Sequence, residues 1–201
     1  MKLHAGKVPR KILEEVVFNY LGSRREEVIV GPSYGLDGSV IKIGDRFLIT
    51  SMDPITGALE RIGWLAVNIN ANDVATFGVQ PKLFSSCLLL PEKATMKNVE
   101  IICKQIDSGA KKLGIAVVGG HSETTPNLSF PIVVGCCMGI ADSDRYVTAA
   151  GAKAGNKLVL TKSLGIEGTA ILSVDGQVQL TEKIDDSTLK RGAAFFDQIS
   201  V

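Results

Sequence analysis

Residues 61–81 constrain the fold most strongly, because they combine a helical apolar pattern with one carboxylate. The pattern predicts a helix with one buried stripe, made of Ile62, Leu65, Ala66, Ile69 and Phe77. Gly78 and Pro81 are expected to end this helix. Asp73 lies four residues after Ile69, so its carboxylate is expected to point along the stripe toward the interior. A buried carboxylate is costly unless it is paired, hydrogen-bonded or bound to a metal.

The same stretch carries three asparagines, Asn68, Asn70 and Asn72, among small and apolar residues. Asn68 and Asn72 are four residues apart and can act together on one helix face. Two interpretations stay open at this point. The asparagines can serve local hydrogen bonds of the helix, or the Asn72-Asp73 pair can reach a functional site.

Composition predicts a globular α/β or α+β protein rather than a disordered one, since 45% of the 201 residues are hydrophobic. A net charge of +1 gives no electrostatic argument for binding nucleic acid or a membrane surface. The longest apolar run, 130–141, is too short to span a bilayer, and the N-terminus shows no signal-peptide core. We therefore expect a cytoplasmic protein.

The cysteines form no C-x-x-C motif, which argues against a zinc site. We expect all four to be small core residues in a reducing compartment: Cys87, Cys103, Cys136 and Cys137.

A β-hairpin is predicted where the extended runs Ser39–Ile43 and Arg46–Ser51 are joined by only two residues, Gly44-Asp45. This register brings Asp37 and Asp53 to the same end of the hairpin. The two carboxylates are either turn residues or part of a divalent-cation site built from oxygen ligands.

Residues 119–123, Gly-Gly-His-Ser-Glu, are expected to form a turn after a short buried strand at 115–118. Two glycines let the backbone approach a ligand closely, and polar side chains follow them. This arrangement suits a phosphate or metal-phosphate contact. It is not a P-loop, because the Gly-Lys-Ser/Thr element is missing. His121 alone is more typical of a structural, hydrogen-bonded residue.

The remaining patterns predict helices, strands and a linker in alternation. These elements are a helix from Pro9 to Gly22, a strand Leu83–Leu90, a helix Thr95–Leu113 capped by Gly114, a strand Phe130–Ile140, a linker 141–156, a strand Leu158–Leu160 and a helix from about Asp186. The apolar face of the last helix has nothing after it in the sequence. We expect either an incomplete second domain or a partner that covers this face.

Four segments together resemble one ATP-dependent family, which includes aminoimidazole ribonucleotide (AIR) synthase, selenophosphate synthetase, thiamine-monophosphate kinase and the hydrogenase maturation protein HypE. The segments are Gly35–Ile41, Thr50–Asp53, Asn72–Gly78 and Gly119–Glu123. The resemblance implies an α+β fold, with an AIR-synthase (PurM) N-terminal-like domain at 1–150 and the beginning of a PurM C-terminal-like domain at 151–201. It also implies a homodimer that binds ATP and Mg²⁺.

The resemblance also implies roles for eight residues. The expected magnesium-phosphate ligands are Asp37, Asp53 and Asp73, and the expected nucleotide contacts are Asn72, Gly119, Gly120, His121 and Glu123. Two positions depart from the family pattern. Leu36 stands where an acid is common, and His121 stands where HypE and thiamine-monophosphate kinase usually have Asp.

The segment 50–81 looks most like the HypE branch. That likeness implies an enzyme that uses ATP to activate a carboxamide or carbonyl oxygen on a small-molecule or protein-bound substrate. A purine-pathway reaction like that of AIR synthase is the second expectation. A nucleotide-binding regulatory module without turnover and a purely structural α+β domain are the other two.

Overall fold

The computed structural model describes residues 3–56, 60–142 and 145–201. Its centre is a six-stranded sheet, so the predicted α+β class is confirmed. The strands are β1 (Val28–Val30), β2 (Ser39–Ile43), β3 (Arg46–Ile55), β4 (Pro81–Pro91), β5 (Ala116–Thr125) and β6 (Ile132–Asp142).

The strands follow the order β1-β2-β3-β6-β4-β5, and only β4 and β5 run parallel to each other. The predicted hairpin register is confirmed, with Ile43 opposite Arg46 and Ser39 opposite Thr50. Beyond Thr50, β3 continues to Ile55, and among the described strands its partner there is β6. The second half of β3 therefore has no described strand paired with it on the side where β2 lies.

Two long helices cover one face of the sheet, and shorter helices begin and end the chain. The helices are α1 (Arg10–Glu15), α2 (Ile62–Ala75), α3 (Met96–Leu113), α4 (Ile166–Asp175), α5 (Gln177–Leu180) and α6 (Asp186–Ala193). The bounds of α3 are confirmed by both caps. Thr95 accepts a hydrogen bond from the backbone N–H of Asn98, and Gly114 takes the left-handed conformation at φ 68°.

The first helix is shorter than predicted. It ends at Glu15, and a 3₁₀ turn at Val17–Asn19 follows. None of the residues in these two elements is buried. Most of the stability of helices in proteins comes from packing of their apolar face. The segment after Glu15 has no such packing, so it does not continue the helix although its apolar residues have helical spacing.

The prediction of a single buried stripe on α2 is wrong, because the helix is buried on nearly all sides. It packs against β3 and β6 on one side and against α3 on the other. Val67, Asn70 and Val74 are fully or almost fully buried, whereas Ile69 of the predicted stripe is only half-buried. Glycines allow α2 to lie this close to the strands. A Cβ at Gly139 of β6 would lie 2.8 Å from the Val74 side chain.

The predicted turn at residues 119–123 is also wrong, because these residues lie within β5. Pairing with β4 continues through them, from Ser85 opposite Gly119 to Pro91 opposite Thr125. Gly120 is needed for this close pairing, since a Cβ there would overlap the carbonyl of Ser86. β5 is an edge strand and is exposed over nearly its whole length, so the predicted burial of residues 115–118 holds only for Ile115.

The C-terminal segment differs from the prediction in three ways. Residues 158–160 form no strand and are exposed, because no described strand lies beside them. Helix α4 was not predicted. The apolar face of the last helix is covered within the chain, where α6 and the following 3₁₀ helix, Ala194–Gln198, pack against α4 and bury Leu189 and Phe196.

The predicted linker at 141–156 is mostly irregular beyond the end of β6, with one short 3₁₀ helix at Ala149–Gly151, and its residues 143–144 lie outside the described part. The division at residue 150 stays a prediction.

The predicted burial of the cysteines is wrong for Cys103, which is exposed on α3. Cys137 is buried, and the other two are half-buried. In the described part of the chain, none of the helices combines the length and the apolar composition that a membrane span requires.

Candidate functional site

A cavity of about 690 Å³ opens at the start of β2, beside the free part of β3. All three aspartates predicted as metal ligands line it. Asp37 comes from the loop before β2, Asp53 from β3, and Asp73 from the end of α2. We call this the aspartate cavity.

The hairpin alone would not have placed Asp37 and Asp53 together, because neighbouring residues of a regular ladder alternate between faces. The β2–β3 ladder ends at the Ser39–Thr50 pair. Asp37 therefore lies outside the regular strand and is free to face the same cavity as Asp53. Gly38 is required at this bend, since a Cβ there would lie 2.8 Å from the Thr50 carbonyl oxygen.

The environment of Asp73 perturbs its carboxyl group strongly. Burial raises its pKa to about 6, and the negative charges of Asp53 and Asp37 add to the effect. The hydroxyl of Ser51 donates a hydrogen bond to Oδ2 of Asp73 at 2.8 Å and, with the charge of Lys7, acts in the opposite direction. The cavity therefore has a negative potential that these two groups only partly offset, and a cation would relieve it.

Asn70 holds Asp53 in place through the backbone. The Asn70 side chain is fully buried. Its Oδ1 accepts a hydrogen bond from the Asp53 N–H at 2.8 Å, and its Nδ2 donates to the Asp53 carbonyl at 3.1 Å and to the Ala66 carbonyl at 2.8 Å. From the sequence, we had expected Asn68 and Asn72 to act together and had predicted no role at a site for Asn70. The sequence did contain a signal that Asn70 is buried: apolar residues, Ala66 and Val74, lie one helical turn away from this amide on each side.

Three further residues give the aspartate cavity its chemical character. Lys7 is the only basic residue among the described residues that line it. Tyr34 and Phe18 add aromatic surface to the same wall. The cavity thus combines carboxylates, one cation and apolar rings, and its volume lies in the range typical of small-molecule sites.

The aspartate cavity suits a complex of Mg²⁺ with a nucleotide, although its side chains do not form a complete metal site by themselves. Among the described residues, no three His, Cys, Asp or Glu side chains are grouped closely enough to hold a metal by themselves. Mg²⁺ does not need such a cage, because it usually keeps several waters and binds one or two carboxylates together with phosphate oxygens. Three carboxylates around one cavity are a suitable donor set for this mode of binding.

The predicted nucleotide contacts on β5 lie elsewhere. Gly119, Gly120 and His121 line a separate cavity of about 420 Å³ between β5 and α3. Nε2 of His121 is hydrogen-bonded to Glu123 at 3.0 Å, and this bond, together with one from Thr125, lowers the pKa of the Glu123 carboxyl. None of the β5 residues lines the aspartate cavity, so a single chain does not bring the two predicted groups together.

Asn72 is also separated from the aspartate cavity. It lines a smaller cavity of about 220 Å³ between α2 and the C-terminal segment. Asn68 is buried and donates a hydrogen bond to the Trp64 carbonyl within the same helix. The expectation that Asn68 and Asn72 act together is therefore wrong, since one serves the helix and the other faces a cavity.

Comparison with protein-family models matches residues 35–141 to the AIR synthase related protein, N-terminal domain. The matched region contains the three aspartates, Asn70 and all of β5.

Curated relatives match most of the chain. A protein of Methanocaldococcus jannaschii named for hydrogenase expression/formation is 27% identical over 176 residues, covering 83% of this chain and 51% of the relative. Thiamine-monophosphate kinase of Archaeoglobus fulgidus is 28% identical over 179 residues, covering 84% of this chain and 52% of the relative. The chain thus spans about half the length of these relatives.

Solved structures share the fold. The crystal structure of E. coli HypE, a hydrogenase maturation protein, matches with 26% identity and a TM-score of 0.57, covering 66% of this chain and 44% of that one. The tt0281 protein of Thermus thermophilus matches with a TM-score of 0.74 at 19% identity, covering 96% of this chain and 61% of that one.

Proposed function

The chain belongs to the AIR synthase related protein family, and from this premise we propose that it binds ATP with Mg²⁺ in the aspartate cavity and activates an amide or carbonyl oxygen by phosphoryl transfer. One observation carries the proposal: Asp37, Asp53 and Asp73 converge on one cavity in which burial and mutual repulsion raise the pKa of Asp73. An ATP polyphosphate needs a cation between itself and such a surface.

We assign parts in this reaction to the three aspartates, Asn70 and Lys7. The three aspartates would supply carboxylate oxygens to a metal that also takes phosphate oxygens as ligands, and Asn70 fixes the backbone of Asp53. Lys7 would offset negative charge on the phosphates. The bound Mg²⁺ would supply charge neutralisation on the phosphate oxygens. The substrate oxygen attacks the γ-phosphorus, a new O–P bond forms, the bond from the γ-phosphorus to the bridging oxygen breaks, and ADP leaves. For a carboxamide substrate, one N–H proton passes to solvent and an O-phosphorylated imidate remains. Catalysis is then mainly positioning and electrostatic stabilisation.

A HypE-like reaction is the favoured form of this proposal. It is supported by the M. jannaschii hydrogenase expression/formation relative and by the likeness to E. coli HypE. The substrate would be a carboxamide, and the protein would work in the cytoplasm. An AIR-synthase-like step of purine synthesis is the alternative within the same chemistry.

Calorimetric titration of Mg-ATP tests the proposal. We expect wild type to bind Mg-ATP, and we expect binding to be lost in EDTA because the phosphates would then face the carboxylates without a cation. Asp53→Asn should weaken binding at least tenfold, since it removes a charged metal ligand (about 1.4 kcal/mol or more).

Asp45→Asn is the matched control, because Asp45 lies in the turn at the other end of the same hairpin and is exposed. It should bind Mg-ATP like wild type. Metal-independent binding, or equal affinity of Asp53→Asn and wild type, would contradict the proposal. Binding of Mg-ATP without ADP release in the presence of any carboxamide would instead support a regulatory module.

We further propose a homodimer in which β5 of one chain completes the aspartate cavity of the other. Two observations support it. The edge strand β5 is exposed, including Val117 and Val118, and the β5 residues lie outside the aspartate cavity of their own chain. An exposed strand edge is a ready surface for pairing with a second chain.

A mixed dimer tests this arrangement. Asp53→Asn and His121→Ala are co-expressed with different tags, and the dimer carrying both tags is purified. If each site takes its aspartates from one chain and its β5 residues from the other, one of the two sites is intact and should bind Mg-ATP, whereas each variant alone binds weakly. A monomer by light scattering, or normal binding by His121→Ala alone, would refute it.

A further inference from the structure

Another cavity, of about 560 Å³, lies between the first turn of α2 and one face of α3. Its volume lies in the range typical of small-molecule sites. The residues that set its character are Arg61, Trp64, Ile101, Lys104, Ser108 and Lys112. We call it the Trp64 groove. Among the described residues, none lines both this groove and the aspartate cavity, so the proposed nucleotide site leaves it unused.

One row of side chains on α3 supplies hydrogen-bond donors to the Trp64 groove. Lys104, Ser108 and Lys112 are spaced by four residues, so they follow one another along the same face of the helix. Ile101 lies one turn before Lys104 on this face and is 44% exposed. An ammonium group can only donate hydrogen bonds, and a serine hydroxyl can donate one as well. This face of α3 therefore offers donors beside an apolar side chain.

Trp64 lies beside this row and carries an unsatisfied donor of its own. Its ring packs close to α3, where a Cβ on Gly109 would lie 3.4 Å from the ring. The ammonium nitrogen of Lys112 lies over the ring, 5.0 Å from its centroid, which is a cation–π distance. The indole N–H is buried and has no hydrogen-bond partner in the described part of the chain. A buried donor without a partner favours a ligand that brings an acceptor.

The polar groups near the start of α2 are used within the chain. The guanidinium group of Arg61 is paired with the carboxylate of Asp197 at 3.1 Å. Oε1 of Gln105 accepts a hydrogen bond from the Gly63 N–H at 2.9 Å, and its Nε2 donates to the Glu60 carbonyl at 2.8 Å. The carboxylates of Glu60 and Asp197 both belong to this end of the groove. They leave the end beside Trp64 to the cations of α3.

Lys112 is the cation of the Trp64 groove that is free to bind an anion. Lys104 is paired with Glu100 at 2.6 Å, and Lys111, the neighbour of Lys112 in the last turn of α3, is paired with Asp107 at 2.8 Å. Lys112 has no carboxylate partner among the residues that the structure describes, and its contact is the ring of Trp64. The exposed pair at Lys104 contributes little stability, so this second ammonium group is also accessible to a ligand.

We propose that the Trp64 groove binds a small aromatic oxyanion, either a carboxylate or a phosphate ester. The oxyanion accepts hydrogen bonds from Lys112 and Ser108, and the aromatic body packs against Trp64 and Ile101. Ring pairs in offset or edge-to-face arrangements are favourable beyond their buried area. A cationic ligand is repelled by the two lysines, and a purely apolar ligand leaves the donors unsatisfied. This site is independent of the proposed reaction with ATP.

Fluorescence titration tests the proposal directly, because Trp64 is the only tryptophan in the sequence. The probes are phenylacetate, phenyl phosphate and phenylacetamide, the last being a neutral analogue of phenylacetate with nearly the same shape. We expect a saturable change in the emission of Trp64 with the anions, and affinity for phenylacetamide about fivefold or more below that for phenylacetate, since its charge is missing. The anion that binds more tightly identifies the headgroup.

Lys112→Gln should weaken phenylacetate about fivefold or more, because a charge-assisted hydrogen bond is lost. Lys111→Gln is the matched control, since Lys111 is the adjacent exposed lysine in the same turn and lies outside the groove. It should bind phenylacetate like wild type. Both substitutions are on the surface, where changes in stability are usually small.

Saturating Mg-ATP separates the Trp64 groove from the aspartate cavity. Phenylacetate binding that persists in its presence supports the proposal. Displacement by Mg-ATP, no saturable change with either anion, equal affinity for phenylacetate and phenylacetamide, or equal losses in Lys112→Gln and Lys111→Gln would overturn it. The Mg-ATP titration of the wild type does not depend on these results, so failure of the groove and failure of the nucleotide site are distinguishable.

Discussion

Replacing Asn70 by alanine is expected to lower the free energy of unfolding by about 2–4 kcal/mol and to weaken Mg-ATP binding at the same time. The side chain is fully buried and makes three hydrogen bonds, two of them to the backbone of Asp53. Alanine would leave the N–H and the carbonyl of Asp53 without these partners. Without these hydrogen bonds, the part of β3 that carries Asp53, a proposed metal ligand, would also be positioned less precisely.

Asn68→Ala is the matched control for this experiment. Asn68 lies on the same helix and is equally buried, but its side chain bonds only to the Trp64 carbonyl of its own helix, and its Oδ1 has no partner among the described residues. Its replacement should cost clearly less than that of Asn70 and should leave Mg-ATP affinity unchanged. Urea denaturation and calorimetry measure the two effects. If both variants lose the same stability and the same affinity, Asn70 has no special role in positioning Asp53.

Replacing Asp73 by asparagine is expected to have opposite effects on stability and on binding. Without metal, the variant should be more stable than wild type at pH 7, by about 1–2 kcal/mol once solvent screening of this half-buried group is allowed for. The reason is that Asn cannot be charged, so the cost of burial and the repulsion by Asp53 and Asp37 disappear. Mg-ATP binding should fall at least tenfold, because a charged ligand of the metal is lost.

The pH dependence separates this explanation from a general packing effect. The pKa of Asp73 is about 6 in the folded protein and about 3.8 as the unperturbed value, so the folded state binds more protons between these values. Wild-type stability should therefore fall as the pH rises from about 4 to above 6, and the gain from Asp73→Asn should disappear below about pH 4. Thermal unfolding across this range, with Asp45→Asn as the exposed control, makes the measurement. A gain in stability that is equal at pH 4 and pH 7 would contradict the electrostatic cause.

At Asp73 the protein gives up stability in favour of binding a cation. The carboxylates repel one another in the empty protein, and a bound cation would remove that repulsion. Mg²⁺ should therefore stabilise wild type more than Asp73→Asn, which links the two predictions by mass action.

Elements with strong short-range signals could be predicted from the amino-acid sequence. The two-residue Gly44-Asp45 link specified the hairpin and its register, because few backbone conformations can reverse the chain in two residues. Thr95 and Gly114 specified the ends of α3 through their caps. The four motifs identified the family, and the three aspartates predicted from them do line one cavity.

Other features depend on segments that are distant in sequence and become neighbours only in the folded protein. Residues 119–123 have the local pattern of a turn, but pairing with β4 holds them in a strand. The sequence predicted one buried stripe on α2, but the helix is buried on nearly all sides because β6 and α3 pack against it from different directions. Asn70 gained its proposed role only from its hydrogen bonds to the backbone of Asp53, a residue 17 positions away in the sequence. Short-range signals such as a two-residue turn or a helix cap can fix where an element begins and ends, whereas burial, pairing and charge coupling are properties of segments that meet only in the folded chain.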